Sequence, residues 1–229
     1  MEIQPIKVTY KATSDIVEAN EWLASLPDTI ACDFEVATRY TPSERSAMEA
    51  SLNSDIPEMD KIAIRQALSA TALDHPFHCV VTHLSVATSD NEAYVFICDN
   101  DKLRNRLFNF LTTTDRKQVW HNLSYDGKHI YFNTRRFPPN YEDTQILAKT
   151  LINHTNPLKA KTGLKEIAGH KYGAWGISSD YFDLSSIHDP HVHHYAAIDA
   201  CATYWIYENL EKRRANETLE PTPGTSPED

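Results

Sequence analysis

The residues with most to offer chemically are acids set at the ends of apolar runs. Asp33 and Glu35 close the stretch Ile30-Ala31-Cys32-Asp33-Phe34-Glu35. In an extended strand, residues two apart share a face, so the two carboxylates point one way and Phe34 the other. Like charges so close repel, and a hard oxygen-seeking cation such as Mg²⁺ or Mn²⁺ relieves that repulsion. A strand running out into a solvated acidic turn would carry the same letters. Asp126 stands six residues beyond Trp120, Asp143 opens a helix, and Tyr195 and Asp199 are four apart on a helix, hence on one side of it. Ala196, Ala197, Ala200 and Ala202 surround Asp199 with side chains small enough for close packing. A carboxylate buried there without a partner is costly, so it calls for a donor or a metal. Asp143 reads as an N-cap.

Those acids need a scaffold that carries them to one place. A short strand is expected over Ile6–Tyr10, then a helix capped by Thr13 or Ser14 and running to about Ser25, with Pro27 ending it before the Asp33 strand. From Tyr40 to about Asp74 the pattern predicts two helices, Ser43–Leu52 and Pro57–Ser69. This segment starts five residues past Glu35, so its base is expected beside the carboxylates, as a lid, a strand-guiding wall or an inert insertion. Phe77–Thr88 and Ala93–Cys98 form a hairpin pattern. A helix over Asp101–Leu111 and a strand over Gln118–Trp120 follow, then a helix from about His121 to Phe132 and a loop over Arg135–Asn140. Helices are expected from Asp143 to Ile152 and from Leu164 to His170. Trp175–Ser186 is irregular, and Asp189-Pro190 opens the last long helix, His191 to about Arg213. Alternating strands and helices indicate an α/β domain.

The chain of 229 residues suits a single domain over 1–213 with a helical insertion at about 38–76, and a polar, disordered tail over 214–229. A net charge of −10 argues against a protein that grips nucleic acid over its whole surface. Charge is uneven, though: Arg116 to Lys171 holds ten Lys/Arg against four Asp/Glu, so that segment carries +6 and the rest −16. A confined binding groove fits this balance, and so do solvated helix faces. No apolar run approaches the ~18 residues of a membrane helix, and the first residues lack signal-peptide character, so a cytoplasmic protein is expected. Cys32, Cys79, Cys98 and Cys201 lie singly in apolar stretches and read as buried free thiols.

Taken together, "CDFE" at 32–35, "HNLSYDGKHI" at 121–130 and "YAAIDA" at 195–200 resemble the three motifs of the DEDD superfamily of 3′→5′ exonucleases. "NLSYD" and "YAAIDA" are similar to the Asn-Leu-x-Tyr-Asp and Tyr-Ala-Ala-x-Asp-Ala motifs of the proofreading domain of family A DNA polymerases. "EDTQILAKTLIN" (142–153) and "GLKEIAGHKYG" (163–173) resemble the segments between them. The likeness runs from about 28 to 213 and leaves out 38–76, where the family has a shorter connection.

The resemblance implies an RNase H-like fold, a mixed five-stranded sheet flanked by helices. It also implies that Asp33, Glu35 and Asp199 hold one divalent cation, that Asp126 with Asp33 holds a second, and that Tyr195 positions the attacking water. Phe34, Asn122 and Tyr125 fall where the family borders the substrate. Two Mg²⁺ or Mn²⁺ ions are the implied cofactors. Phosphodiester hydrolysis needs an activated water, charge neutralisation at phosphorus and a stabilised leaving oxygen, and paired cations supply all three. The superfamily divides between a tyrosine four before the last aspartate and a histidine five before it, and Tyr195 and His194 occupy both places; "YAAIDA" favours Tyr195. A zinc site of His191, His193 and His194 is disfavoured because adjacent residues face different ways. Lys165 suits a phosphate contact but reads as a lone surface lysine. Trp175, Tyr181 and Phe182 offer either base stacking or a filled core edge.

The expected activity is therefore removal of nucleotides from the 3′ end of single-stranded or frayed DNA, with a separately encoded DNA polymerase as a possible partner. Two alternatives stay open: RNA 3′ trimming of the ribonuclease D kind, and a non-catalytic nucleic-acid-binding accessory module. No membrane association is expected.

Overall fold

The computed structural model describes residues 5–69, 75–152, 161–173, 175 and 186–219. In chain order the elements are β1 (Thr9–Thr13), α1 (Ile16–Ser25), β2 (Thr29–Thr38), α2 (Pro42–Ser51), α3 (Glu58–Leu68), β3 (Cys79–Ala87), β4 (Glu92–Ile97), α4 (Asp101–Thr113), β5 (Lys117–Trp120), α5 (Leu123–Thr134), β6 (Tyr141–Asp143), α6 (Thr144–Ile152), α7 (Leu164–Tyr172) and α8 (Pro190–Leu219).

Alternation along β2 divides the molecule. Ile30, Cys32 and Phe34 face a core built with α1, α4 and α5, in which Phe34 meets Phe108 and Trp120 edge-on at 5.7 and 5.4 Å. Ala31 faces the opposite core, which holds α6, α7 and the alanine-rich stretch of α8. Asp33 and Glu35 share the parity of Ala31, so the strand aims them at α8. All four cysteines are buried free thiols.

The sheet order is β1-β4-β3-β2-β5-β6, and β3 alone runs against its neighbours. This is the expected mixed α/β architecture with six strands in place of five. β1 adds to the outer edge of β4, pairing Thr9 with Glu92 through Thr13 with Phe96. It lies three residues later than its sequence pattern suggests, because it is a largely exposed edge strand whose register the partner sets. β6 has three residues, two of them acidic, and carries no pattern of its own. Backbone pairing to β5 makes it a strand.

The cap of α1 is Asp15, whose Oδ1 accepts from Val17 N (2.8 Å) and Glu18 N (2.9 Å). Thr13 and Ser14 do not fill this role: Thr13 ends β1 and its hydroxyl accepts from Asp15 N. In the segment expected to be an insertion, α2 and α3 pack chiefly on each other, α2 buries no residue and α3 only Ala67. α8 continues to Leu219, past the Arg213 end expected for the domain, so 214–219 are helical; residues 220–229 lie outside the described residues.

Candidate carboxylate site

Three elements bring the acids together. β2 supplies Asp33 and Glu35, and α8 supplies Asp199 from among its alanines. One oxygen from each of the three lies within 4.8 Å of the others, the sole such cluster of metal-binding residue types among the described residues. Glu35 and Asp199 are buried, at 6% and 5% exposure, while Asp33 keeps an open edge. Asp126, on the first turn of α5, is buried beside them at 3%. It sits outside the tight trio yet close enough to push the Asp33 and Glu35 carboxyls upward.

Electrostatics describe a cluster with too much negative charge. Burial first, then Glu35, Asp126 and Asp199 raise Asp33 well above the usual carboxylate range. Burial and Asp199 do the same to Glu35. Asp126 is pushed up to about 8 by burial, although the backbone N–H groups of Asp126 and Phe34 draw it the other way. Glu35 Oε1 is a buried oxygen with no hydrogen-bond partner. An orphaned acceptor inside a cluster of raised carboxyls fits a divalent cation of the Mg²⁺ or Mn²⁺ kind, which takes oxygen ligands and compensates such charge.

Asp199 is also held by two neighbours whose sequence reading gave them other roles. Trp175 Nε1 donates to Asp199 Oδ1 at 2.5 Å. Lys165 Nζ donates to the Tyr195 hydroxyl at 2.5 Å, lies 3.8 Å from Asp199 Oδ2 and 4.6 Å from the centre of the Tyr195 ring. Lys165 is thus a part of the site and not a lone surface lysine. Its only sequence signal was its place in the segment leading to the last motif. Trp175 both fills a core edge against Tyr172 and reaches the carboxylate. Tyr181 and Phe182 lie outside the described residues.

Tyr195 bonds to Asp199 and, through burial and the surrounding carboxylates, has its phenol pushed far up. His194 instead is exposed and packs its ring 5.7 Å from Tyr10. His193 Nε2 donates to the Ile187 carbonyl and His191 contacts Asp189, so the three histidines make no common site.

Phe34 is a correction to its expected place by the substrate: its ring is buried in the α4–α5 core, where strand alternation sends it. Asn122 takes a left-handed backbone (φ 64°) at the head of α5, and its Oδ1 accepts from Ser124 Oγ at 2.7 Å. Tyr125 is half-buried one residue from Asp126, with Lys128 Nζ 5.8 Å from its ring centre. Asp143 is the expected N-cap and more. Its Oδ1 accepts from Gln145 N (2.8 Å), Ile146 N (3.3 Å) and Asn122 N (3.1 Å), and its Oδ2 from Leu123 N (2.8 Å). One carboxylate therefore caps α6 and anchors the start of α5, which carries Asp126.

A mixed sheet flanked by helices, with acids converging from β2, α5 and α8, is an RNase H-like α/β architecture. No family model matches the chain, and no curated protein matches it. Solved structures do, and they include nucleases of the DEDD 3′→5′ exonuclease type. NrnC of Brucella melitensis bound to pGG gives a TM-score of 0.56 at 16% identity, covering 94% of this chain and 84% of that one. The same protein with bound Mg²⁺ gives 0.52 at 14%, with the same coverage. RNase D of Trypanosoma brucei in complex with RNA U12 gives 0.60 at 12%, covering 90% of this chain and 63% of that one. At these identities the likeness is one of fold.

Proposed function

We propose that the chain is a metal-dependent 3′→5′ exonuclease that hydrolyses the terminal phosphodiester bond of a single strand and releases nucleoside 5′-monophosphates. The convergence of Asp33, Glu35 and Asp199 around the unpartnered Glu35 Oε1 carries this reading. Asp33, Glu35 and Asp199 would hold one Mg²⁺ or Mn²⁺, and Asp126 with Asp33 a second. When bound, such ions neutralise charge at phosphorus and lower the pKa of water. Trp175 fixes Asp199 through its Oδ1, and Lys165 fixes the Tyr195 hydroxyl. A phenol whose ordinary pKa is about 10 keeps its proton at neutral pH, so Tyr195 serves by positioning the water and not as a base.

Single-stranded RNA is the favoured substrate class, because neighbours of the same fold were solved with RNA U12 and with pGG. A second reading, DNA, is favoured by the Asn122-Leu123-Ser124-Tyr125-Asp126 and Tyr195-to-Ala200 motifs, and would suit a polymerase partner.

The test is side-by-side digestion of 5′-labelled RNA and DNA of one sequence. The expected result is stepwise shortening of RNA from its 3′ end in Mg²⁺, none in EDTA and none with Asp33→Asn. Faster shortening of DNA would favour the second reading. Binding without shortening of either polymer would reject hydrolysis and leave a non-catalytic binding module.

A further inference from the structure

The outer face of α5 carries chemistry that the carboxylate site leaves unused. Lys128, Tyr131 and Arg135 recur at spacings of three and four, so they form one stripe. It begins two residues beyond Asp126. Tyr131 and Phe137 are 46% and 51% exposed, and their rings stack with centroids 5.5 Å apart. The Arg135 guanidinium lies 6.0 Å from the Tyr131 ring centre and 5.7 Å from that of Phe132. Phe77, 61% exposed at the head of β3, meets Phe132 edge-on at 4.6 Å. Phe137 rests against Gly127, where a Cβ would come within 2.9 Å of its Cε1, so this ring borders the helical turn that bears Asp126.

The cations are as telling as the rings. Among the described residues the side chains of Lys128, Arg135 and Arg136 have no acidic partner, a state they share with other surface cations, and what sets Lys128 and Arg135 apart is that each lies over aromatic rings of α5. In a chain of net charge −10, unpaired cations gathered around exposed rings suit a polyanion with π-faces. The stripe spans roughly 10 Å of helix from Lys128 to Arg135, the reach of one or two nucleotides, on the solvent side of α5, and Phe137 is the ring that joins it to the turn bearing Asp126.

We infer that this stripe binds the single strand upstream of its 3′ end, bases stacking on Tyr131 and Phe137 and phosphates meeting Lys128 and Arg135, so that long strands are held more tightly than dinucleotides. The inference rests on the nuclease reading for its substrate but is measured by binding alone.

The full chain in EDTA is titrated with a fluorescent long oligouridylate and with a dinucleotide, as wild type, as Tyr131→Phe and as the double variant Tyr131→Ala/Arg135→Asn. Asparagine suits the left-handed backbone of Arg135 (φ 59°). The double variant is expected to weaken the long strand about tenfold or more and to make its salt dependence shallower by about 0.7 per cation removed. Tyr131→Phe keeps the wild-type affinity, and Mg²⁺-dependent hydrolysis of the dinucleotide is unchanged in all three. Unchanged long-strand affinity in the double variant, with dinucleotide hydrolysis intact, overturns the stripe and leaves the nuclease reading standing. Loss of strand affinity in a protein that hydrolyses neither substrate as wild type upholds the stripe and removes the nuclease reading. Sedimentation showing that the double variant only breaks a dimer, with strand affinity kept, overturns the inference in favour of contact between copies.

Discussion

Lys165 and Trp175 shape the last acid of the site from outside its motif. Lys165 Nζ donates to Tyr195, which bonds to Asp199, and Trp175 donates to the same carboxylate from the other side. Groups that orient a ligand or a water-positioning hydroxyl typically contribute about 10–100-fold to activity. Lys165→Ala is therefore expected to lower kcat within that range with little change in KM, and Trp175→Phe to weaken metal affinity while keeping the ring in place. Steady-state kinetics over a metal titration separate the two, and a pure KM effect in Lys165→Ala would mean a substrate contact instead. The four acids and Tyr195 were legible from residue type and order. Lys165 and Trp175 were not, because a hydrogen bond across 30 or 24 residues leaves no local periodicity. Phe34 shows the converse: the family resemblance placed it beside the substrate, and alternation along β2, which turns it away from the two acids, buries it in the core instead.

At the scale of elements, the site depends on Asp143. This carboxylate accepts four backbone N–H bonds, from Asn122 and Leu123 on one side and Gln145 and Ile146 on the other. A capping carboxylate contributes about 1 kcal/mol per helix, so Asp143→Ala is expected to cost about 2 kcal/mol in urea unfolding. It should also lower hydrolysis more than stability alone requires, because α5 aims Asp126. An unfolding midpoint equal to wild type would show that other bonds hold the α5 start. The N-cap role was readable in sequence, whereas its service to a second helix 20 residues upstream was not. β6 was hidden for a similar reason: three residues acquire strand character only from β5. Helices α2 and α3, by contrast, were visible with near-correct bounds, α3 because Pro57 and the apolar spacing of Ile62, Ile64 and Leu68 mark it.

Across the whole molecule, buried titratable groups pull stability in opposite directions with pH. Carboxyls raised in the folded state add stability in full below the ordinary carboxylate range, and each contribution is lost as pH rises through that group's raised value, about 8 for Asp126. His83 and His129, pushed down to about 4 mainly by burial, do the reverse, and their contribution is lost as pH falls from the ordinary histidine range through about 4. Subtracting the melting temperature in EDTA from that in saturating Mg²⁺ cancels the histidines. The difference should be small near pH 5 and grow toward pH 8 and above, since bound ions displace those protons. A difference independent of pH would detach metal binding from these carboxyls. For the same reason, Glu35→Gln should raise the metal-free melting temperature by about 2–4 °C for each kcal/mol of repulsion removed. The most direct test is a calorimetric titration with Mn²⁺ in the absence of nucleic acid, on the wild type and on Glu35→Gln. About two ions per chain, with protons released and with both signals reduced in Glu35→Gln, is the expected result. No bound Mn²⁺ in the wild type, or an unaltered titration in the variant, would contradict a metal site at Asp33, Glu35, Asp126 and Asp199.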